Sequence, residues 1–431
     1  MEKKTVLLDL CDIGNPTSGF GQIAKNYAAW YSKMEDEALK FHFLLPMGHD
    51  KDYGPLVDVS YNRRKYNKYF RKGLPTVDLW HSTTQQQLKR RRGKCGKFVL
   101  TIHDLNYLTE KNWIRQQKHK IVLQHAINQA DAVTCISQFV GRQIAEQFKL
   151  KGKPVRVIYN GVEDITQEPE QKPAFATGRP FFFAIGQIRP KKNFHLLVDM
   201  MKHFPNHDLY VCGDDHFAYS QVVREHIEML PIKNAYLTGK ITAEERVWLY
   251  RHCEAFLFPS VGEGFGLPAI EAMQFGKAVF ISSATCLPEI CGDCAMVWKT
   301  LSPDVMAKDV RERLAGFYDD AAQIEKVKNH AKEFSYEKHI AAYVKLYKEL
   351  LSLPHQEVNI FFIHKDAGYI AWIGAAIFSL YIGYDYWRAQ QYAKTIDNAV
   401  DSAVDIYLDI INLFLRILRV LGSRGGSSRR R

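Results

Sequence analysis

The chain reads as two consecutive doubly wound α/β domains facing a cleft, followed by a hydrophobic helical tail. Three observations predict this. Short apolar runs alternate with longer helical stretches through residues 1–160, the pattern of strands joined by crossover helices. A stretch at 163–180 rich in Glu, Gln, Pro and Thr interrupts them, and the alternation then restarts. Beyond a helix at 334–351, residues 367–384 are 18 positions without a charge, the lower length for a membrane span.

The first domain takes its strands from the runs at 6–10, 41–45, 77–80, 98–102, 132–136 and 155–158. The second takes them from 181–185, 209–212, 235–237, 255–258 and 278–281. Expected boundaries are 1–165 for the first domain, 166–333 for the second and 353–431 for the tail, with a helix at 334–352 returning to the first. Two such domains in tandem leave a cleft where ligands bind at the carboxyl ends of strands.

At 431 residues, with 46% hydrophobic and 24% charged residues, the chain is long enough for two or three globular domains. A net charge of +11 suits an anionic partner: a nucleotide, a nucleic acid or an acidic lipid surface. The start, Met1-Glu2-Lys3-Lys4 and a short apolar run, lacks the long apolar core of a signal peptide. A reducing cytoplasm and free thiols are therefore expected for the eight cysteines. Cys286, Cys291 and Cys294 are spaced as in some iron–sulfur sites. No cysteine follows them as a fourth ligand, so they read as plain thiols.

The most informative segment runs from Gly262 to Met273. Glu263 and Glu271 stand eight positions apart, on a glycine-rich turn and a helix that follow an apolar strand. Pro268 fits the first helical turn and Gly276 the helix end. Free amides and the dipole at such a helix start suit a phosphate or diphosphate. Glu263 can then grip a neutral polar ligand beside the phosphates, and Glu271, one turn on, a second polyol. A sugar and a ribose flanking a diphosphate satisfy both.

Other motifs supply partners. The loop Gly186 to Asn193 follows a strand and opens a helix, and it carries Arg189, Lys191 and Lys192. A fixed cation there stabilises a departing diphosphate more in the transition state than in the ground state. Lys192 is the first choice, assisted by Arg189 or Lys191. In the first domain, Ser18-Gly19-Phe20-Gly21 follows the first strand, and Gly19 and Gly21 let a backbone approach a phosphate. His103, at a strand end, is structural or faces the transferred group. Asp214-Asp215 reads as a turn or a nucleotide contact in preference to a metal clamp. The basic run through 89–97 is a solvated loop or a contact for acidic lipid or a phosphorylated acceptor. Nucleic acid is not expected, because no aromatic interleaving accompanies that run.

With these residues assembled, 1–352 resembles the retaining GT-B glycosyltransferases of family 4, built from two Rossmann-like domains. The Glu263 to Glu271 block carries the resemblance most specifically. It implies that Glu263 contacts donor sugar hydroxyls and Glu271 the nucleotide ribose. It also implies that backbone near Phe265, Gly266 and Leu267 holds sugar and diphosphate. Lys192 occupies the family's lysine position in the diphosphate site, Gly19 and Gly21 its first-domain phosphate loop, and His103 a histidine facing the sugar. Gln187 stands where the family has an arginine, which raises the interest of Arg189.

The activity implied is hexose transfer from a UDP- or GDP-sugar to a glycan or lipid-linked acceptor. It retains anomeric configuration and uses no metal or other cofactor. The setting implied is cell-envelope polysaccharide or lipopolysaccharide synthesis on the cytoplasmic face of the membrane. A carboxylate nucleophile, for which Glu263 is the one motif acid, is the rival chemistry. A GT-B sugar phosphorylase or synthase is the alternative enzyme.

The tail, 358–422, resembles the last membrane segments of the Bax-inhibitor family. The residues Ile382-Gly383-Tyr384-Asp385 and the run from Tyr407 to Leu415 carry that likeness. Asp385 and Asp409 match a paired-aspartate calcium latch, yet the earlier spans of that family are missing from the sequence. An anchor or a fused fragment is expected, with an ion-leak protein as the alternative of a different class. A polar stripe of Asp405, Asp409, Asn412, Arg416 and Arg419, and six arginines from Arg416 onward, suit a segment ending on the cytoplasmic side.

Overall fold

Every strand pairing among the described residues is parallel, so each sheet needs helices on both faces. The computed structural model describes residues 2–15, 18–49, 51–62, 74–89, 93–110 and 112–352. The first sheet comprises β1 (Lys4–Asp9), β2 (Leu39–Pro46), β3 (Val57–Asn62), β4 (Val77–Ser82), β5 (Cys95–Ile102), β6 (Ala132–Cys135) and β7 (Val155–Val157), in the order β3-β2-β1-β4-β5-β6-β7. The helices α1 (Gly19–Tyr31), α2 (Tyr107–Glu110), α3 (Trp113–Gln129) and α4 (Gln138–Gln147) belong to it.

The second sheet comprises β8 (Phe181–Ile185), β9 (Asp208–Cys212), β10 (Ala235–Gly239), β11 (Ala255–Phe258), β12 (Ala278–Ser282) and β13 (Met296–Trp298), ordered β10-β9-β8-β11-β12-β13. With it go α5 (Phe194–Met200), α6 (Tyr219–Met229), α7 (Ala243–His252), α8 (Leu267–Gln274), α9 (Leu287–Cys291), α10 (Pro303–Leu314) and α11 (Ala321–Lys332). Its inner strands are buried end to end, as in 181–184, 255–258 and 278–282. That is why they read as unbroken apolar runs.

Strand order reverses between β1 and β4 in the first sheet and between β8 and β11 in the second. The loops leaving the two reversal strands diverge to opposite faces and open a crevice at the carboxyl ends. Gly186 to Lys192 leaves β8, and Pro259 to Gly266 leaves β11. The site motifs thus stand where the topology makes room.

The sequence reading lacked β3 and β13. Both are edge strands, and β3 alternates polar with apolar residues and is partly exposed. The basic run at 89–97 needs correction, since Cys95 opens β5 and Lys97 lies buried in it, paired with Asp131 at 3.3 Å. Arg90 to Arg92 and the whole predicted tail from 353 onward lie outside the described residues. Among the described residues no helix is long and apolar enough to cross a membrane.

The chain returns to the first domain as α12 (Tyr336–Ser352). Its Tyr336, His339, Tyr343 and Tyr347 lie along one buried face at helical spacing. They build a polar network inside the domain. His81 Nδ1 meets the Tyr347 hydroxyl at 2.7 Å and its Nε2 meets Thr101 Oγ1 at 2.7 Å. Tyr343 reaches Thr101 at 2.9 Å and Thr134 at 3.2 Å. His339 Nδ1 donates to the Tyr159 carbonyl at 2.5 Å, so its Nε2 accepts from Tyr27, 2.7 Å away. Outgoing and returning chains run side by side, with the Val162 amide bonded to the Phe334 carbonyl at 2.7 Å.

Burial holds His81 down to about 3 and His339 down to about 4, so both rings are neutral in the fold. The unfolded chain protonates them near 6.5, so it binds more protons than the native state below that pH. Their contribution to stability is complete above about pH 6.5. Each histidine then loses about 1.4 kcal/mol per pH unit as the pH falls towards its folded value. The expected result is a urea midpoint that falls steadily from pH 6.5 to 4.5, less steeply in His81→Gln. Equal slopes in the two proteins would contradict this.

Candidate functional site

The strand-end glycines of the second sheet shape the floor of the crevice. Gly186 has φ +154°, and a Cβ on Gly213 would come within 2.0 Å of the Gly186 carbonyl oxygen. The two loops can lie together only with glycine at 213. The Gly186 loop then makes a short turn, Pro190–Lys192, closed by Asn193 in the left-handed region at φ 53°. Asn193 Nδ2 donates to the Pro259 carbonyl at 3.1 Å and Val261 N donates to the Lys191 carbonyl at 2.8 Å, tying the β8 loop to the β11 loop.

This tie places Lys192 against Glu263. Nζ lies 2.5 Å from Oε1, with both side chains more than four-fifths buried. Ser260 Oγ donates to the same oxygen at 2.5 Å, and Nζ sits 4.6 Å from the centre of the Phe258 ring. Neither charge is stranded, because each neutralises the other in a water-poor setting. Gly266 caps α8 in the left-handed region, and Pro268 occupies its first turn. Among the described residues, the amides of Phe265, Gly266 and Leu267 donate to no protein group. Three unspent N–H groups at a helix start, beside a lysine, form an electropositive seat for an anion. The Phe265 side chain itself is buried, in edge contact with Phe334 at 5.5 Å.

Glu271, one turn into α8, is held at 2.8 Å by the Tyr250 hydroxyl and at 3.3 Å by Arg246. Glu271 in turn raises the Arg246 pKa, while burial foremost, and then Glu271, pushes that of Tyr250 up. Gly276 ends the helix at φ 66°.

From the first domain, His103 faces this loop. A Cβ on Gly264 would sit 2.5 Å from the His103 carbonyl oxygen, so the two domains touch there. His103 Nε2 donates to the Thr83 carbonyl at 2.8 Å, which leaves Nδ1 as the acceptor. Burial lowers its pKa and keeps the ring neutral. Phe20, between Gly19 and Gly21, packs edge-on at 5.2 Å from the His103 ring. Ser18 caps α1 by accepting from Gly21 N at 3.0 Å. A Cβ on Gly21 would fall 1.9 Å from the Asn15 carbonyl oxygen, whereas one on Gly19 would meet nothing. Close packing therefore explains Gly21, and open space lies at Gly19.

The structure thus gathers Lys192, Glu263, Gly266, Leu267 and His103, with Gly19 and Gly21 joined through Phe20. Arg189 is not drawn into that pair. Its guanidinium lies 4.2 Å from the centre of the Phe217 ring and has no carboxylate partner among the described residues. Lys191 reaches Glu110 of the first domain at 2.8 Å. Asp214 engages His216 and Lys240, and Asp215 engages Arg224, as a turn does. The three closely spaced cysteines are buried free thiols; burial pushes Cys291 up to about 12. Among the described residues no group of three His, Cys, Asp or Glu side chains gathers to hold a metal.

Sequence reasoning missed the groups that hold these residues: Ser260 on Glu263, Tyr250 and Arg246 on Glu271, Thr83 and Gln85 on His103. Ser260 stood in the motif itself. The others act across long stretches of chain and leave no local signal.

Residues 166–334 match the family described as glycosyl transferases group 1, and residues 41–164 match glycosyltransferase family 4. Residues 350–426 match the family described as inhibitor of apoptosis-promoting Bax1. The serotype-specific mannosyltransferase WbdA of Escherichia coli is 27% identical over 54% of this chain and 31% of its own. The O-antigen chain mannosyltransferase RfbU of Salmonella typhimurium is 26% identical over 46% of this chain and 55% of its own. The chain therefore spans about a third to a half of the length of these relatives. Among solved structures, Anabaena HepE in complex with UDP and glucose superposes with a TM-score of 0.61 at 17% identity, covering 81% of this chain and all of that one. Sucrose-phosphate synthase from Thermosynechococcus elongatus gives 0.62 at 16% identity, with 81% of this chain and all of that one covered. These superpositions show the two-domain fold.

Removing one member of the Lys192–Glu263 pair strands the other. Lys192→Met is expected to cost roughly 3 kcal/mol, and the double variant with Glu263→Gln to recover about half of that loss. Urea denaturation of the parent, the two single variants and the double variant measures it. A double variant less stable than either single one contradicts the pairing.

Proposed function

We infer that this chain, which belongs to the GT-B glycosyltransferases of family 4, moves a hexose from a UDP- or GDP-sugar to a glycan or lipid-linked acceptor. The single observation that carries this reading is the Lys192–Glu263 pair beside the three unspent amides of α8. Cation and amides suit a diphosphate, the carboxylate suits sugar hydroxyls, and Glu271 lies one turn farther along for a ribose. The relatives named mannosyltransferases support mannose as the sugar, and the neighbour holding UDP and glucose supports a nucleotide-sugar donor.

The reaction retains anomeric configuration. The bond from the anomeric carbon to the diphosphate oxygen breaks, and the electron pair leaves with the nucleoside diphosphate. Lys192 and the α8 amides stabilise that charge as it forms. The acceptor hydroxyl attacks from the face the diphosphate leaves, and a diphosphate oxygen takes its proton. Glu263 and the Nδ1 lone pair of His103 orient sugar hydroxyls, so the protein contributes positioning and electrostatics in place of a dedicated base. No metal is required, since lysine and helix dipole supply the positive charge.

An acceptor in an anionic membrane fits the outer face of α3. Trp113 is 70% exposed and Ile121 56%, beside exposed Arg115 and Lys118, and the helix carries no acid. Apolar side chains flanked by cations suit a headgroup layer, which favours a site on the cytoplasmic face of the membrane and a role in envelope polysaccharide or lipopolysaccharide synthesis.

A thermal-shift screen of the full chain against nucleotide sugars identifies base and sugar together; no shift and no hydrolysis with any UDP-, GDP- or ADP-sugar would sink the reading. Glu271→Ala is expected to weaken nucleoside diphosphate binding by about 10- to 100-fold, the loss of one charge-assisted bond or two. Glu263→Ala and Lys192→Ala are expected to lower kcat by roughly 100- to 1,000-fold, with Glu263→Ala leaving nucleotide affinity within about threefold. Calorimetry and steady-state rates decide. Equal affinity losses in the two glutamate variants, or an unchanged rate in Lys192→Ala, would overturn the assigned roles.

A further inference from the structure

Glu289 belongs to α9 of the second domain, yet its carboxylate is spent on the first. Oε1 accepts from Gln138 N at 2.6 Å and Oε2 from Phe139 N at 2.9 Å. These are the first two amides of α4, which no residue within that helix can satisfy. The third, Val140 N, goes to Ser137 Oγ at 3.2 Å. The hydroxyl of Ser137 donates to the Gly264 carbonyl at 2.9 Å, so the same helix start also holds the Glu263 loop.

The segment before Glu289 holds that loop from its other side. Thr285 Oγ1 accepts from Glu263 N at 3.4 Å, and Cys286 Sγ lies 3.4 Å from the Glu263 carbonyl oxygen. Thr285 adopts φ 58°, a conformation a β-branched residue takes only when its surroundings impose it. Next to Glu263, Gly264 touches the His103 carbonyl. The chain crosses between the domains twice, side by side at Val162 and Phe334. Two chain crossings alone permit a range of angles between the domains. A bidentate carboxylate on two fixed amides selects one of them.

We propose that Glu289 is a positioning residue for transfer: by capping α4 of the opposite domain, it fixes the closed arrangement in which the Glu263 loop meets His103. Both of its carboxylate oxygens are spent on α4. Glu289→Ala leaves Lys192, Glu271 and the α8 amides in place on the second domain, so nucleotide affinity persists while the sugar loses its far wall.

The proposal rests on the transferase reading, so its test has an arm independent of activity. Hydrogen exchange of the full chain reports on α4. In Glu289→Ala, the peptide spanning 137–147 is expected to exchange at least about tenfold faster at its first amides, with Tm otherwise that of a folded protein. In the same variant kcat is expected to fall on the order of 10- to 100-fold, as a displacement of about 1 Å produces, with nucleotide affinity within about threefold. Glu289→Gln, which keeps one acceptor oxygen, recovers part of both effects.

Gln138→Pro removes the first amide from the other side of the contact. Proline is tolerated at that helical position, and Ser137 before it is already extended. It is expected to reproduce part of the Glu289→Ala effect, since Phe139 N keeps its carboxylate oxygen, and the double variant to be no worse than Glu289→Ala alone. Unchanged exchange in Glu289→Ala overturns the clamp. Faster exchange with kcat within about twofold of the parent overturns its positioning role. If the parent uses no nucleotide sugar, the transferase reading falls, and the exchange result alone decides whether the clamp exists.

Discussion

The reversal of strand order within each fully parallel sheet is the constraint from which the site follows. A parallel strand must be reached by a right-handed crossover, so helices on the two halves of a sheet lie on opposite faces. Loops leaving adjacent reversal strands then part company. In the second sheet that parting falls between β8 and β11, and the two loops that diverge there carry Lys192 and Glu263. No other pair of adjacent strands in that sheet would leave space for an anion between a lysine and a helix start.

That space is finished by backbone. Gly213 lets the β8 and β9 loops close on each other, Gly266 lets α8 begin abruptly, and Gly264 lets the first domain come against the Glu263 loop. Each position is fixed by an approach or a dihedral that a Cβ would obstruct. The charged side chains then need little freedom. Lys192 and Glu263 neutralise each other before any ligand arrives, which keeps a cation in a buried setting without a stranded charge.

The contacts that join the two domains include the paired crossing chains at Val162 and Phe334, the Lys191–Glu110 ion pair, the Ser137 hydroxyl on the Gly264 carbonyl and the Glu289 carboxylate on α4, while the tyrosine- and histidine-rich face of α12 seats the return helix in the first domain. His81, Thr101, Thr134, His339, Tyr343 and Tyr347 all have partners in the polar network under α12, and such a network specifies one docking geometry for a helix that apolar packing alone would hold less selectively.

The sequence by itself determined the alternation of elements, the parallel sheets, the place of Glu263 and Glu271 on one loop and helix, and the strand-end loop that carries Lys192. These are local properties: buried strands must be apolar throughout, a helix start needs its proline and glycine, and a phosphate loop its small residues. The edge strands β3 and β13 escaped because an edge need not be continuously buried. Lys97 was misread because its burial depends on Asp131, 34 positions away. Only the tertiary structure decided the partners: Ser260 and Lys192 on Glu263, Tyr250 on Glu271, Thr83 on His103, Phe217 under Arg189, and Glu289 on the opposite domain. Their physical reason is shared. Each depends on a distance between groups that the folded chain sets and that no spacing along the chain encodes.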